Sequence, residues 1–217
     1  MPVPQPTPIF RFIHVGNLHI YLHRGGMHAP NFTPADGLIY KTIHNEDIQR
    51  TRRVTKITCG PRGVIHDYVS FYFGYLSPMM YQLKTGWLQG YDEGQEPLIY
   101  LISTCQTIHD SGAAYVFSDG HGIAAMTHWY DDLSALGQVV DWDMVYQRYW
   151  RDNINDMDRQ RRKQAEFLVN EFCDWALVQK IAVINVDVQK RVQDIMAAFP
   201  QAQRPPIVIK PEWYYCK

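Results

Sequence analysis

A run of charge, Arg159-Gln160-Arg161-Arg162-Lys163, leads straight into Gln164-Ala165-Glu166-Phe167-Leu168-Val169, and this junction constrains the fold more than any other stretch. The apolar residues after the charges include the branched Val169, which predicts a buried strand starting here. If Phe167 and Val169 face a core, the two-residue period of a strand sends Glu166 and Leu168 to the other face. Glu166 then stands at the mouth of a rigid strand, one turn from a cluster of cations. A carboxylate so placed suits a catalytic acid or base. Structural ion pairs are far commoner than catalytic ones, so spacing alone favours a salt-bridged surface glutamate.

The 217 residues are enough for one domain, 1–217, which at this length buries about 70% of its unfolded surface. Hydrophobic and charged shares of 46% and 20% are those of an ordinary globular chain. No apolar run is long enough to span a bilayer and no signal peptide opens the chain, so a membrane role is not expected. Cys59, Cys105, Cys173 and Cys216 are scattered without a C-x-x-C pair, which suits free thiols in a reducing cytoplasm. A net charge of −1 means that any anionic partner must be held by local clusters, such as Arg50, Arg52 and Arg53 or Arg159 to Lys163. The 14 tyrosines would serve stacking on planar rings, and would equally serve a core.

Along the chain, Ile9–Ile13 reads as a strand, followed by a short helix with Asn17 as its cap and Gly25-Gly26 as its stop. Residues 29–63 lose periodicity and form a long connection, of a length normally tied to a lid or binding loop, with local structure expected only over Ile39–Ile48. Strands are predicted over Asp67–Phe73, Pro97–Ser103, Ala114–Phe117 and Lys180–Val186, and helices from Ser77-Pro78 to Gly86 and over Cys105–Ser111. Leu133–Trp150 reads as partly helical. Asp187 reads as the cap of a helix carrying Val188, Val192, Ile195, Met196 and Phe199, and a last strand runs from Ile207 to Trp213-Tyr214-Tyr215. Strands and helices mix without a βαβ rhythm, which gives an α+β class.

His19 and His23 lie one helical turn apart beside His14 and His28, but no further ligand has metal-binding spacing. Neither G-x-G-x-x-G after a strand nor a Walker loop is present, which excludes Rossmann and P-loop nucleotide sites.

One resemblance covers almost the whole chain. Its carriers are Pro8–Leu18 (PIFRFIHVGNL), Asp47-Ile48-Gln49 ahead of Arg52, Gly63–Phe73 (GVIHDYVSFYF), Ser77-Pro78-Met79, Gly94–Pro97, Asp119 with His121-Gly122, and Arg162–Val169 (RKQAEFLV). In these segments the chain resembles the DarT family, DNA ADP-ribosyltransferase toxins of bacterial toxin–antitoxin systems. The family shows an Ile-Lys/Gln-x-Arg-Arg pattern; Thr51 stands here at the first arginine position, so a gapless alignment gives the role to Arg52, with Arg50 and Arg53 as competitors.

The resemblance implies an ADP-ribosyltransferase fold, two facing mixed β-sheets with surrounding helices and an NAD cleft. It also implies NAD as co-substrate without a metal, and a thymine base, at N3, of single-stranded DNA as acceptor. A DarG-like ADP-ribosyl hydrolase is the implied antitoxin partner. Glu166 and Arg52 become the catalytic pair. Arg11, Phe12 and Ile13 would hold the nicotinamide through their backbone, Ile20 and His28 would flank the adenosine end, Tyr72 would stack on nicotinamide or ribose, and His121 would meet the DNA. Two other readings stay open: transfer to RNA or protein, and a non-catalytic module that binds single strands by stacking and phosphate contacts.

Overall fold

The alternating and apolar runs become ten strands among the residues, 1–215, that the computed structural model describes: β1 (Pro8–His14), β2 (Gly26–His28), β3 (Tyr68–Tyr72), β4 (Leu98–Thr104), β5 (Tyr115–Ser118), β6 (Trp129–Tyr130), β7 (Glu166–Asn170), β8 (Phe172–Asp174), β9 (Lys180–Val183) and β10 (Ile207–Ile209). The helices are α1 (Leu18–His23), α2 (Glu46–Arg52), α3 (Pro78–Thr85), α4 (Cys105–Asp110), α5 (Leu136–Val139), α6 (Trp142–Val145), α7 (Arg159–Lys163) and α8 (Val186–Ala197). The mixture is α+β, as expected.

Eight strands join in the order β10-β9-β4-β1-β3-β7-β5-β6, and β2 pairs with β8 in a separate two-stranded sheet. The large sheet is almost cut in two. β1 pairs with β4 through all of its residues but with β3 only at Phe10 opposite Tyr72. Both halves nevertheless turn one face into a shared core, where Ile9 and Ile13 of β1, Val69 and Phe71 of β3, and Phe167 and Val169 of β7 meet. The opposite faces carry separate clusters, Phe10, Phe12 and Tyr100 on one half and Tyr68, Val116 and Leu168 on the other. The period-two reading of β7 is therefore correct, and Glu166 shares a face with Leu168 rather than with the main core.

Several boundaries differ from the sequence reading, each for a local reason. Asn17 does not cap α1; its amide donates to the Lys41 carbonyl at 2.9 Å and accepts the Lys41 N–H at 2.7 Å, so it ties down the long connection instead. Within that connection the regular structure is a 3₁₀ turn at Pro30–Phe32 and α2, which overlaps the expected Ile39–Ile48 only over its first three residues. Asn45 caps it through Asp47 and Ile48 N–H, with Glu46 and Asp47 in the first turn and Arg50 and Arg52 in the last. The preceding residues are held by side chains: Arg24 grips Asp36 and the Leu38 carbonyl, and Tyr40 stacks on Tyr21. Asn185, not Asp187, caps α8, accepting Val188 N–H at 2.9 Å. The β9–α8–β10 segment is a parallel crossover, so one βαβ unit exists where none was expected. Trp213 lies in a 3₁₀ turn rather than a strand. The basic run is helical, as α7. Cys59, Cys105 and Cys173 are free thiols, and Cys216 lies outside the described residues.

Lys163, at the end of α7, is buried and locks this region together. Its ammonium donates to Val145 O at 2.6 Å and Tyr75 O at 2.9 Å. Gly74 makes this approach possible, since a β-carbon there would stand 2.0 Å from Val145 O. Burial pushes the Lys163 amine down to about 7 from its ordinary 10.5. The unfolded chain therefore binds a proton that the native one lacks between those values, and stability from this group rises with pH across that window. In urea titrations the difference in stability between wild type and Lys163→Met should grow with pH above 7, by up to about 1.4 kcal/mol per unit. A pH-independent difference would show that the two carbonyls keep Lys163 charged.

Candidate active site

The incomplete β1–β3 seam makes the cavity. Beyond the Phe10–Tyr72 pair the strands part, and Arg11 bridges the gap by donating Nη1 to Ser70 O at 2.8 Å. Phe12 and Tyr72 stack across the opening with ring centres 6.4 Å apart. On β3, Ser70 and Tyr72 share the face that Glu166 takes on β7, because β3 and β7 are in register with Tyr72 opposite Glu166. α2 brings Arg52 to this face, and the loop after β5 closes over it. The resulting cavity has a volume of about 570 Å³, within the size range of small-molecule sites.

Its centre is a buried ion pair. Arg52 Nη1 and Nη2 donate to Glu166 Oε1 and Oε2 at 3.0 and 2.8 Å, and Nη2 also donates to Ser70 Oγ at 2.6 Å. Arg52 is 8% exposed and Glu166 1%, so the surface salt bridge that spacing alone favoured is not what forms. Gly122 N–H adds a third donor to Glu166 Oε1 at 3.0 Å. Burial pushes the Glu166 carboxyl up, but the Arg52 charge and hydrogen bonds, with His121 and the Gly122 N–H, outweigh it and hold the group below its ordinary value. Burial likewise lowers Arg52 while Glu166 more than restores it, and the guanidinium stays charged. His121 is pushed down by burial, which leaves it neutral around pH 7, and burial raises the Tyr72 phenol.

The loop that delivers Gly122 N–H is itself built. Ser118 Oγ accepts Glu166 N–H at 3.1 Å and donates to Gly120 O at 2.7 Å. Arg161 donates to Asp119 at 2.9 Å and to Asp158 at 2.7 and 2.8 Å, while its carbonyl accepts His121 N–H at 2.9 Å. The glycines around His121 follow from these contacts: a β-carbon at Gly120 would stand 2.4 Å from Arg161 Nη1, and one at Gly122 would crowd Glu166 and Trp129 at 3.1 Å.

Arg11, Phe12, Ile13, His28, Arg52, Tyr72, His121 and Glu166 all line the one cavity. Ile20 does not; it is buried in α1. Of the competing arginines, Arg50 is exposed and paired with Asp47 at 2.7 Å, and Arg53 lies on the cavity wall. The cluster Arg159 to Lys163 does not hold anions as a unit. Arg161 and Arg162 are neutralised by Asp119, Asp158, Asp141 and Asp156, and Lys163 is buried. His14 is tied to Gly16 N–H and Glu93, and His19 and His23 are exposed. Sequence reasoning missed Ser70, legible as the same-face neighbour of Tyr72, and the Gln49–His66 pair at 3.0 Å, legible from Gln49 lying one turn before Arg52. It also missed Tyr40, whose buried hydroxyl has no hydrogen-bond partner.

Residues 10–215 match the family described as ssDNA thymidine ADP-ribosyltransferase, DarT. The chain belongs to the DarT family. It is thus an NAD-dependent DNA ADP-ribosyltransferase with the ADP-ribosyltransferase-like fold. A curated relative from Thermus sp. (strain 2.9), named DNA ADP-ribosyl transferase, is 38% identical over 98% of each chain. Thermus sp. 2.9 DarT in complex with ADP-ribosylated ssDNA superposes with a TM-score of 0.92 at 37% identity, covering 99% of each chain. The same DarT in complex with NAD+ gives 0.87 at 37% identity, over 98% of this chain and 99% of that one. The two facing sheets implied by the resemblance are here two half-sheets of one eight-stranded sheet, joined at the Phe10–Tyr72 pair.

Breaking the central pair on one side strands a buried charge. Arg52→Met or Glu166→Leu alone should each cost about 3–5 kcal/mol, whereas the double variant should regain most of that stability and still transfer nothing. Denaturant unfolding of the three proteins tests this, and additive losses would overturn it.

Proposed function

We propose that the chain acts as a single catalytic domain that moves ADP-ribose from NAD to N3 of thymine in single-stranded DNA, with Glu166 and Arg52 at the reacting atoms. The observation that carries this reading is the buried Arg52–Glu166 pair inside a cavity bounded by the unpaired edge of β1. A module that only binds single strands has no use for a carboxylate so costly to bury.

In the reaction the nicotinamide–ribose C1′ bond breaks, the C1′–N3 bond forms, and the N3 proton leaves. The sugar passes through an oxocarbenium-like state of the kind met in glycoside hydrolysis. Glu166, held ionised and oriented by Arg52 and Gly122 N–H, sets a fixed negative charge beside that cation and stands ready for the departing proton. Arg52 has its donors on Glu166 and Ser70, which supports a role in orienting Glu166 and polarising the base over one on the pyrophosphate. Past Phe10 the β3-side edge of β1 has no ladder partner, so its backbone at Arg11–Ile13 is open to a nicotinamide carboxamide. Tyr72, protonated and stacked on Phe12, supplies an aromatic wall. His28, on the cavity wall, would flank the adenosine end, whereas Ile20 is buried in α1 and does not line the cavity. His121, neutral and beside Glu166, handles the acceptor base. Family membership further suggests a toxin that works in the cytoplasm and is countered by a DarG-like ADP-ribosyl hydrolase.

Labelled NAD incubated with short oligonucleotides of each base, followed by mass spectrometry of the adduct, tests the acceptor; label on protein with untouched DNA would overturn it. Glu166→Ala should lose at least about a hundredfold in transfer while NAD binding changes little, because its contacts strengthen in the transition state. Arg52→Ala should be more damaging than Arg50→Ala or Arg53→Ala. His121→Ala should lower transfer to DNA but leave slow hydrolysis of NAD to nicotinamide, measured on the same preparation; equal loss of both would move His121 out of the acceptor role. Duplex DNA should be a poor substrate, since N3 lies inside the base pair and flipping costs a few kcal/mol.

A further inference from the structure

A second concavity, of about 420 Å³, lies outside the active site, and Tyr81, Tyr149, Trp150, Arg148, Arg151 and Arg159 are among its walls. It shares two helices with the active-site cavity. On α3, Pro78, Met79 and Gln82 line the first cavity and Tyr81 lines the second; Gln160 of α7 and Gln164, just past its end, line the first, and Arg159 of α7 the second. A chain leaving the active site over either helix reaches the second concavity after one helix width, about 10 Å.

Its chemistry differs from that of the neighbouring arginines. Arg161 and Arg162 are consumed by four aspartates. Arg159 instead donates to two carbonyls, Arg151 O at 3.1 Å and Tyr149 O at 2.6 Å, and the Arg151 guanidinium lies 5.6 Å from the centre of the Tyr81 ring, with its hydroxyl at 3.5 Å. These hydrogen-bond partners are neutral, and although the Arg159 charge also acts on Asp156, neither guanidinium is closed into a salt bridge among the described residues. The carboxylates adjacent in sequence are engaged elsewhere: Asp152 accepts Gln160 N–H at 2.9 Å, and Asp158 accepts from Arg161 at 2.7 and 2.8 Å. Tyr149 is 81% exposed and Trp87, edge-on to Tyr81 at 6.0 Å, is 67% exposed. Aromatic rings interleaved with guanidinium groups are what a single strand needs, one set for the bases and the other for the phosphates.

We propose that this concavity is a strand-holding site, in which nucleotides flanking the acceptor thymine stack on Tyr149 and Tyr81 while Arg151 and Arg159 hold their phosphates. The proposal rests on the reading of single-stranded DNA as acceptor. Its consequence is a dependence on strand length: a trinucleotide fills the active site only, and a longer strand gains from the second site as well.

The test compares transfer to a thymidine-centred trinucleotide and to a dodecamer at saturating NAD, for wild type, Tyr149→Ala and Arg151→Ala. Losing one stacked base should raise KM for the dodecamer about fivefold or more, with kcat and the trinucleotide KM unchanged. Arg151→Ala should also flatten the dependence of log KM on log salt by about 0.7, the contribution of one phosphate on a single strand. Variants that leave the dodecamer KM and its salt slope unchanged, or that weaken both substrates equally, would overturn the strand-holding site alone. A wild-type protein inactive on both oligonucleotides would overturn the acceptor reading and this site with it.

Discussion

A fully buried Arg–Glu pair is the constraint around which the rest of the structure is arranged. Taking both ions out of water costs several kcal/mol each, and attraction recovers that only with good geometry and every remaining polar atom satisfied. Here the two bonds between Arg52 and Glu166 run in parallel, Ser70 Oγ accepts a further guanidinium hydrogen, and Gly122 N–H donates to a further carboxylate lone pair. Each supporting group needs its own anchor. Ser70 is fixed in β3, and Gly122 sits in a turn that Ser118 and Arg161 hold from below and behind. Hydrophobic replacements of similar volume would fill the space at lower cost. Such a pair at the wall of a cavity, rather than inside a closed core, is what the proposed catalytic role requires.

The same economy explains why the sheet is nearly severed. A fully zipped β1–β3 ladder would leave no room for a ligand and no free backbone edge. A fully divided sheet would lose the common core that keeps the two halves at fixed separation. One retained pair, Phe10 with Tyr72, and one shared hydrophobic layer meet both demands. Arg11 then spans the gap to Ser70 O, a side-chain bond replacing the ladder bonds that the divergence removes.

Much of this was legible because it follows from short-range rules. The alternation in Phe167-Leu168-Val169 assigned the faces of β7 and put Glu166 on the side away from the main core, where the cavity lies. Ser77-Pro78 and Gly86 bounded α3, where the glycine takes φ 72°. What failed did so where a polar side chain had two possible uses. Asn17 has the position of a cap and spends its amide on Lys41, some way along the chain. Arg159 to Lys163 has the composition of an anion-binding patch, yet its members close onto aspartates and carbonyls that only the fold brings near. The partner of Glu166 is separated from it by more than half the chain, so its burial could not be read from local pattern. The choice among Arg50, Arg52 and Arg53 turns on which one α2 points inward, a matter of where Asn45 starts the helix.

The placement of charge completes the argument. With a net charge of −1, the molecule exerts little long-range pull on a polyanion. Its basic run does not change that, because aspartates neutralise the central arginines and burial withdraws Lys163. Near the chemistry, positive charge is supplied within the two adjoining concavities, by Arg11 and Arg53 in one and Arg151 and Arg159 in the other. Recognition of an anionic strand must then come from short-range contacts, phosphate by phosphate and ring by ring, rather than from a field. Such a surface discriminates by the exposure of bases. A duplex offers phosphates but no free ring faces, while an open strand offers both, so the distribution of charge and the chemistry at a buried thymine nitrogen favour the same substrate.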